Sequence, residues 1–324
     1  MREIKFHTET WNLKQPFIIT GHVFTSVDTL VVTLTEGEHS GRGEGAGVYY
    51  MDDDVAHMLA QAESVSDALR QGAGRQELLD LLPAGGARNA IDCALWDLEA
   101  KQRGQRAWAL ADVHPGATTT FETVGIDTPE KMAEQAAALA SPRIKVKLNG
   151  ELPLERISAV RAARPDAEII VDVNQGWTFA QLQDLAPRFR DLGVAMIEQP
   201  LPRGGDAELE GYSPPVPLGA DESCLHTGEF EAAARRYQVI NIKLDKAGGL
   251  TEGLRLADMA IDRGLEVMVG NMVGTSLAMA PGYVLAQMCR FVDLDGALFL
   301  ERDRDPGMSY HQGRVDAPPT ELWG

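Results

Sequence analysis

Cysteine is scarce, with three in 324 residues at Cys93, Cys224 and Cys289. Three thiols cannot build a disulfide framework, and they are expected to stay reduced, as in the cytoplasm. There is no run of about 18 apolar residues, which excludes a membrane-spanning helix. The opening MREIKFHTET has no apolar core, so no secretory leader is read there. Positive charge is in deficit: 30 Lys and Arg against 48 Asp and Glu leave a net charge of −18. Such a surface repels phosphate backbones and anionic lipid, so nucleic acid and membranes are not expected partners. The seven histidines show no metal-ligand spacing. The glycine-rich GRGEGAG lacks the strand-then-helix context of a nucleotide loop. What remains is the composition of a soluble globular protein, 44% hydrophobic and 24% charged. Its acidity could conceal carboxylates gathered around a cation.

The texture of the chain changes near Pro115. Before it, IKFHTETWNL and TLVVTL alternate as antiparallel strands do, joined by a turn around Thr20-Gly21-His22. The stretch EGEHSGRGEGAG that follows is too rich in glycine for a helix and is expected to form a hairpin leading into a mobile loop. Residues 54–71 and 75–82 carry helical spacing. In 87–103 Ile91, Ala94, Leu95 and Leu98 fall on one helix face. Strands followed by helices predict a small α+β domain over residues 1–112. After Pro115, eight short β-rich runs begin near residues 118, 143, 168, 194, 216, 239, 265 and 290, with helical stretches between most of them. Eight such runs predict an α/β barrel over 113–299, with a doubly wound sheet as the competing architecture.

Buried parallel strands should be apolar, yet most of these end in a charge. The series is Lys145 and Lys147, Asp172, Glu198, Asp221, Lys243, then Asp293 and Asp295. From Lys147 the steps are 25, 26, 23 and 22 residues, about one βα unit each. Charges in that phase collect at one barrel mouth, the C-terminal face where barrel enzymes carry their chemistry. A single buried charge is ordinarily a structural ion pair; five in phase are not. Asp172, Glu198 and Asp221, converging without Cys or His, suit a hard cation, Mg²⁺ first and Mn²⁺ second. Lys147 and Lys243 would then face each other across the mouth, placed to remove and return a proton on opposite sides of one carbon. Lys145 leaves the strand on the same face as Lys147, where a second ammonium disfavours the charge on its neighbour.

These residues resemble the enolase superfamily in its muconate-lactonizing subgroup, most closely the dipeptide epimerases typified by L-Ala-D/L-Glu epimerase. The resemblance rests on Lys145-Val146-Lys147, Val171-Asp172-Val173-Asn174, Ile197-Glu198-Gln199-Pro200, Ala220-Asp221-Glu222-Ser223, and Asn241-Ile242-Lys243 followed by Gly248-Gly249. It extends to Pro83-Ala84-Gly85-Gly86-Ala87-Arg88-Asn89-Ala90 and covers essentially the whole chain. It implies a (β/α)7β barrel with an N-terminal capping domain, on which residues 300–324 pack. It implies a cytoplasmic, homo-oligomeric isomerase. Asp172, Glu198 and Asp221 would hold Mg²⁺, with Lys147 and Lys243 as acid/base catalysts and Lys145 assisting. Asn174 and Glu222 would support the ligands from behind. Asp293 and Asp295 would take the α-ammonium of a dipeptide, and Thr123 would also contact substrate. Sister reactions are the alternatives: N-succinyl amino acid racemisation, o-succinylbenzoate synthesis or muconate cycloisomerisation. A metal-binding sensor barrel is the non-enzymatic one, though a sensor needs no opposed bases.

One loop departs from the pattern. Enzymes acting on Ala-Glu typically carry an arginine in the segment Ile19–Thr25; here there is none, and Phe24 stands about where it would be. The second capping loop brings Tyr49 and Tyr50. Phe24 and Tyr50 therefore predict a dipeptide whose C-terminal side chain is uncharged or apolar. Asp52, Asp53 and Asp54 read as the acidic N-terminus of a helix.

Overall fold

The computed structural model describes residues 1–19 and 21–324. Thr20, in the turn expected at 20–22, lies outside the described residues. The chain opens with a three-stranded antiparallel sheet, β1 (Glu3–Ile19), β2 (His22–Glu36) and β3 (His39–Gly45), in the order β1-β2-β3. A short 3₁₀ turn at Tyr49–Met51 precedes α1 (Val55–Ser64), α2 (Ser66–Arg70), α3 (Arg75–Leu81) and the long α4 (Gly86–Arg103). Then come α5 (Ala107–Leu110) and β4 (Thr118–Thr119).

The barrel follows. Its strands are β5 (Glu122–Val124), β6 (Arg143–Lys147), β7 (Glu168–Asp172), β8 (Val194–Glu198), β9 (Leu218–Ala220), β10 (Val239–Lys243), β11 (Glu266–Gly270) and β12 (Phe291–Val292). Each pairs in parallel with the next, in sequence order. The helices between them are α6 (Pro129–Ala138), α7 (Pro153–Ala163), α8 (Phe179–Asp191), α9 (Phe230–Ala233), α10 (Leu244–Ala247), α11 (Leu250–Asp262) and α12 (Ser276–Ala286). Between β12 and β5 the seam is drawn together by Phe121 N–H donating to the Val292 carbonyl at 2.7 Å and Leu294 N–H donating to Thr120 Oγ1 at 2.8 Å. The enolase-type arrangement expected from the sequence is present. A last hairpin, β13 (Tyr310–His311) and β14 (Arg314–Val315), pairs with β4 in a separate small sheet.

One local expectation is corrected. The run at 118–126 is not one strand: residues 118–119 join the small sheet, and 122–124 belong to the barrel. The glycine-rich stretch is the expected hairpin: His39–Gly45 is a strand fully laddered to β2, and from Ala46 the chain runs into a segment with a single 3₁₀ turn. Its glycines answer to packing rather than mobility. A Cβ on Gly41, Gly43 or Gly45 would stand 2.1–2.3 Å from a backbone atom of α4. Only a bare backbone lets helix and strand come so close.

Alternation along the strands separates the barrel interior into layers. Phe121, Ile170, Met196, Val239, Met268 and Phe291 form one apolar cluster. Two residues further along their strands stand Asp172, Glu198, Asn241 and Asp293. The polar mouth thus sits on an apolar plug, which keeps water from reaching it from below. Residues 300–324 bind the capping domain to the barrel. Leu300 bridges to Leu13, and Arg304 pairs with Glu9 at 2.6 Å and Glu44 at 2.7 Å. Trp323 Nε1 donates to the Cys93 carbonyl at 2.9 Å.

Candidate active site

Five of the charged residues singled out in the sequence lie at the C-terminal ends of their strands, with Lys145 two residues inside β6 and Asp293 and Asp295 just beyond β12. Lys147, Asp172, Glu198 and Lys243 are the last residues of β6, β7, β8 and β10; Asp221 follows β9 directly. All are buried. Side-chain oxygens of Asp172, Glu198 and Asp221 come within 4.8 Å of one another, a cluster able to hold a metal ion.

Lysines hold the carboxylates in place. Lys147 Nζ donates to Asp172 Oδ2 at 2.6 Å and to Asn174 Oδ1 at 3.1 Å. Lys145 Nζ sits 3.1 Å from Asp172, 2.9 Å from Glu198 and 2.9 Å from Asp293. Lys243 Nζ donates to Asp221 Oδ2 at 2.7 Å. β6 and β10 are four strands apart in an eight-stranded sheet, so Lys147 and Lys243 stand on opposite sides of the mouth.

The charge balance is uneven. Asp172, Glu198, Asp221, Glu222, Asp293 and Asp295 share the buried mouth with Lys145, Lys147, Lys243 and Lys246. When all are ionised, two negative charges remain for a divalent cation. The titration behaviour shows the same strain. Burial pushes the Asp172 carboxyl up, but Lys147 and Lys145 outweigh it and hold it at about 2. Burial opposes ionisation of Asp221 as well, and Lys243 and Lys246 bring it well below the carboxylate range. Burial, then the charge of Asp172, lifts Glu198 to about 7. Burial, then Asp221, lifts Glu222 to about 8. Burial lowers Lys145 and Lys243, yet their carboxylate partners raise both on balance. Glu198 Oε2 and Asp221 Oδ1 are buried oxygens without a hydrogen bond, although Lys145 and Lys246 lie 2.9 and 2.6 Å away. With Asp172 they form the three-carboxylate cluster whose oxygens suit a hard cation.

A cavity of about 550 Å³ opens above this cluster. Lys147, Asn174, Glu222 and Lys243 line its floor, and Phe17, Phe24, Tyr49 and Tyr50 line its capping-domain wall. The rings touch in series, His22 tilted on Phe24 at 4.2 Å, then Phe24 to Tyr49 at 5.2 Å and Tyr49 to Tyr50 at 5.0 Å between centroids, both edge to face. No arginine is among the described residues that line it. Of the three aspartates beside it, Asp54 caps α1 by accepting from His57 N–H at 2.8 Å, as expected of a helix N-terminus. Asp53 turns inward, and its Oδ2 accepts from Gly86 N–H at 2.7 Å.

Asp293, Asp295 and Thr123 do not line this cavity. Asp293 pairs with Lys145, and its other oxygen is buried without a partner. Asp295 accepts from Thr123 N–H at 2.9 Å, and burial, then Asp293, pushes it up to about 8. Asp295 and Thr123 line a second cavity of about 150 Å³. The two cavities share a wall: Phe17 of the first and Phe299 of the second are 4.6 Å apart.

Three residues were given no role in the sequence reading, although Gln199 and Asn241 stand in its motifs. Lys246 is fully buried and donates to the carbonyls of Asp221, Cys224 and Asn241. Asn241 Nδ2 donates to Glu198 Oε1 at 2.6 Å. Gln199 Oε1 accepts from the N–H groups of Asp221 and Ser223. Asn241 could have been assigned to the mouth, because it precedes Lys243 by two residues and must share its strand face. Lys246 lies on a helical turn, outside the strand rhythm that exposed the others.

A barrel mouth of this kind, three carboxylates between two opposed amines, equips an enzyme for proton transfer at a carbon beside a carboxylate group. The chain belongs to the enolase superfamily. Residues 130–321 match the family described as enolase C-terminal domain-like, and residues 1–111 match the N-terminal domain of the mandelate racemase / muconate lactonizing enzyme family. It is 41% identical over 319 residues to L-Ala-D/L-Glu epimerase of Escherichia coli, covering 97% of this chain and 99% of that one. A crystal structure from Agrobacterium tumefaciens, an enolase family member with homology to dipeptide epimerases, holds sodium and L-Ala-L-Glu. It superposes with a TM-score of 0.97 at 39% identity over the full length of both chains. The dipeptide epimerase of Methylococcus capsulatus, complexed with Mg and L-Arg-D-Lys, is 28% identical with a TM-score of 0.90, covering 97% of this chain and 96% of its own.

Proposed function

We propose that this chain is a Mg²⁺-dependent dipeptide epimerase that inverts the α-carbon of the C-terminal residue. The observation that carries the reading is the pair Lys147 and Lys243, on opposite sides of the mouth with the three-carboxylate cluster between them. Asp172, Glu198 and Asp221 would hold the ion. Bound Mg²⁺ supplies positive charge against the substrate carboxylate, onto which charge moves as the α-proton leaves. One lysine takes that proton; the enediolate then receives a proton from the other lysine on the opposite face. Lys145 keeps Asp172 and Glu198 in register. Asp293, with its open oxygen, and Asp295, fixed by Thr123, would receive the α-ammonium, a charge-assisted contact suited to paired carboxylates. The relatives' activities support the same reaction.

The wall of Phe24, Tyr49 and Tyr50, with no arginine in the described lining, favours dipeptides with an uncharged or apolar C-terminal residue. Ala-Glu is the second reading, favoured by the activity of the E. coli relative. A cytoplasmic homo-oligomer belongs to the same proposal, the compartment being one that keeps thiols such as Cys93, Cys224 and Cys289 reduced. The test is a dipeptide library incubated in deuterated water with and without a chelator. Mass gain and epimerisation should require Mg²⁺ and be greatest for apolar C-terminal residues. Turnover that survives exhaustive chelation refutes the mechanism; highest turnover of Ala-Glu refutes the specificity alone.

A further inference from the structure

The tyrosines that close the cavity ride on a segment with little secondary structure of its own, a single 3₁₀ turn at Tyr49–Met51. It is pinned at both ends by buried carboxylates. At its far end Asp53 accepts from Gly86 N–H. At its near end the anchor comes from the barrel. Asp245 Oδ1 accepts from Ala46 N–H at 2.9 Å, from Gly47 N–H at 3.2 Å and from Asn89 Nδ2 at 3.1 Å. Asp245 sits on α10, two residues beyond Lys243, and is 6% exposed. Arg88 of the capping helix fixes the end of the same turn by donating to the Ala247 carbonyl at 2.6 Å and the Gly248 carbonyl at 3.0 Å. One short helix thus presents Lys246 to Asp221 and Asp245 to the loop beneath Tyr49 and Tyr50.

We infer that Asp245 is a positioning residue for substrate specificity, and this inference rests on the proposed reaction. It never touches the dipeptide. It sets the distance between the aromatic wall and Lys243 by holding two consecutive backbone N–H groups at a fixed place on the barrel. A C-terminal side chain long enough to reach the wall depends on that distance; a methyl group does not. Removing that oxygen leaves the two N–H groups without their acceptor, and the loop loses the point that fixes it to the barrel.

The test compares Asp245→Ala with Asp245→Asn, whose amide oxygen can still accept the same N–H groups. KM and kcat are measured for L-Ala-L-Leu and L-Ala-L-Ala, and amide hydrogen exchange is followed over residues 46–53. Asp245→Ala should raise KM for L-Ala-L-Leu about tenfold with kcat within about threefold. L-Ala-L-Ala should stay within about twofold of wild type, exchange over 46–53 should quicken, and Asp245→Asn should restore all of these. If Asp245→Ala does not accumulate as folded protein, Asp245→Ser, too short to reach both amides, takes its place. Equal losses for both dipeptides, or Asp245→Asn as impaired as Asp245→Ala, overturn the inference. Absence of activity on every dipeptide in the wild type fails the proposed function instead.

Discussion

Exchanging Phe24 for arginine should redirect the enzyme from apolar toward acidic C-terminal residues. The Phe24 ring stands 4.2 Å from His22 and 5.2 Å from Tyr49, as one panel of the wall above the lysines. Complete burial of a leucyl side chain stabilises a complex by about 1.5–3 kcal/mol, and one panel of several supplies about 0.5–1 of that. A guanidinium in its place offers a substrate carboxylate a charge-assisted contact of about 1.5–3 kcal/mol. Asp28 and Asp54 line the same cavity and draw on that guanidinium, which favours the lower figure. Together the ratio of kcat/KM for L-Ala-L-Glu over L-Ala-L-Leu should rise by about 2–4 kcal/mol, roughly thirtyfold to several hundredfold. Deuterium incorporation at the α-carbon, followed by mass for each dipeptide over a range of concentrations, measures both constants. A ratio that moves less than about threefold refutes the assignment of this wall to the C-terminal side chain. The fold, the cation and the lysines would be untouched by that result.

Three further outcomes follow from the geometry. Lys147→Ala and Lys243→Ala should each lower epimerisation by about 10²–10⁴, while each still exchanges the α-proton of one epimer, a different one in each variant; exchange of the same epimer by both would undo the opposed-base arrangement. Gly43→Ala should cost about 3 kcal/mol or more in denaturant unfolding, because its Cβ would stand 2.1 Å from the Ala90 carbonyl oxygen; Gly37→Ala, at a φ of +63° but in open space, should cost only about 1 kcal/mol, and equal costs would contradict the close-approach explanation. Burial, opposed by the amides it accepts from, lifts the Asp245 carboxyl to about 7. The folded form therefore holds that proton more tightly than the unfolded chain, so stability present below about pH 4 is lost as pH rises to about 7, on the order of 2–4 kcal/mol. Asp245→Asn should remove that slope, gaining on wild type in thermal denaturation between pH 5 and pH 8; parallel curves would show that Asp245 does not titrate as described.

The site was legible wherever a charge broke an apolar strand. Asp172, Glu198 and Lys243 announced themselves because hydrophobic neighbours have no use for them, and a spacing near one βα unit gave them a common end. Lys246 and Asp245 share a helical turn where a charge is unremarkable, and only the packing of that turn against Asp221 and Ala46 gives them meaning. The reason for the glycines of β3 was hidden in another way. Glycine serves a flexible loop and a crowded strand equally well, and the helix that crowds this strand lies some fifty residues further along the chain. Phe24 was legible as a missing cation, but its ring contact with Tyr49 depends on two loops meeting in space.

The strap formed by residues 300–324 has a consequence for how substrate arrives. Arg304 alone ties together Glu9 on β1, Glu44 on β3 and Thr275 ahead of α12, and Trp323 is sealed against α4. Swinging the capping domain away from the barrel would strip several charge-assisted bonds and a buried indole at once. That costs far more than parting the turn at Tyr49–Met51 from His22 and Phe24 at the start of β2. Admission is accordingly a matter of a few residues shifting at the rim. Turnover should then be sensitive to stiffness in those two short segments and indifferent to a crosslink joining the strap to the capping sheet.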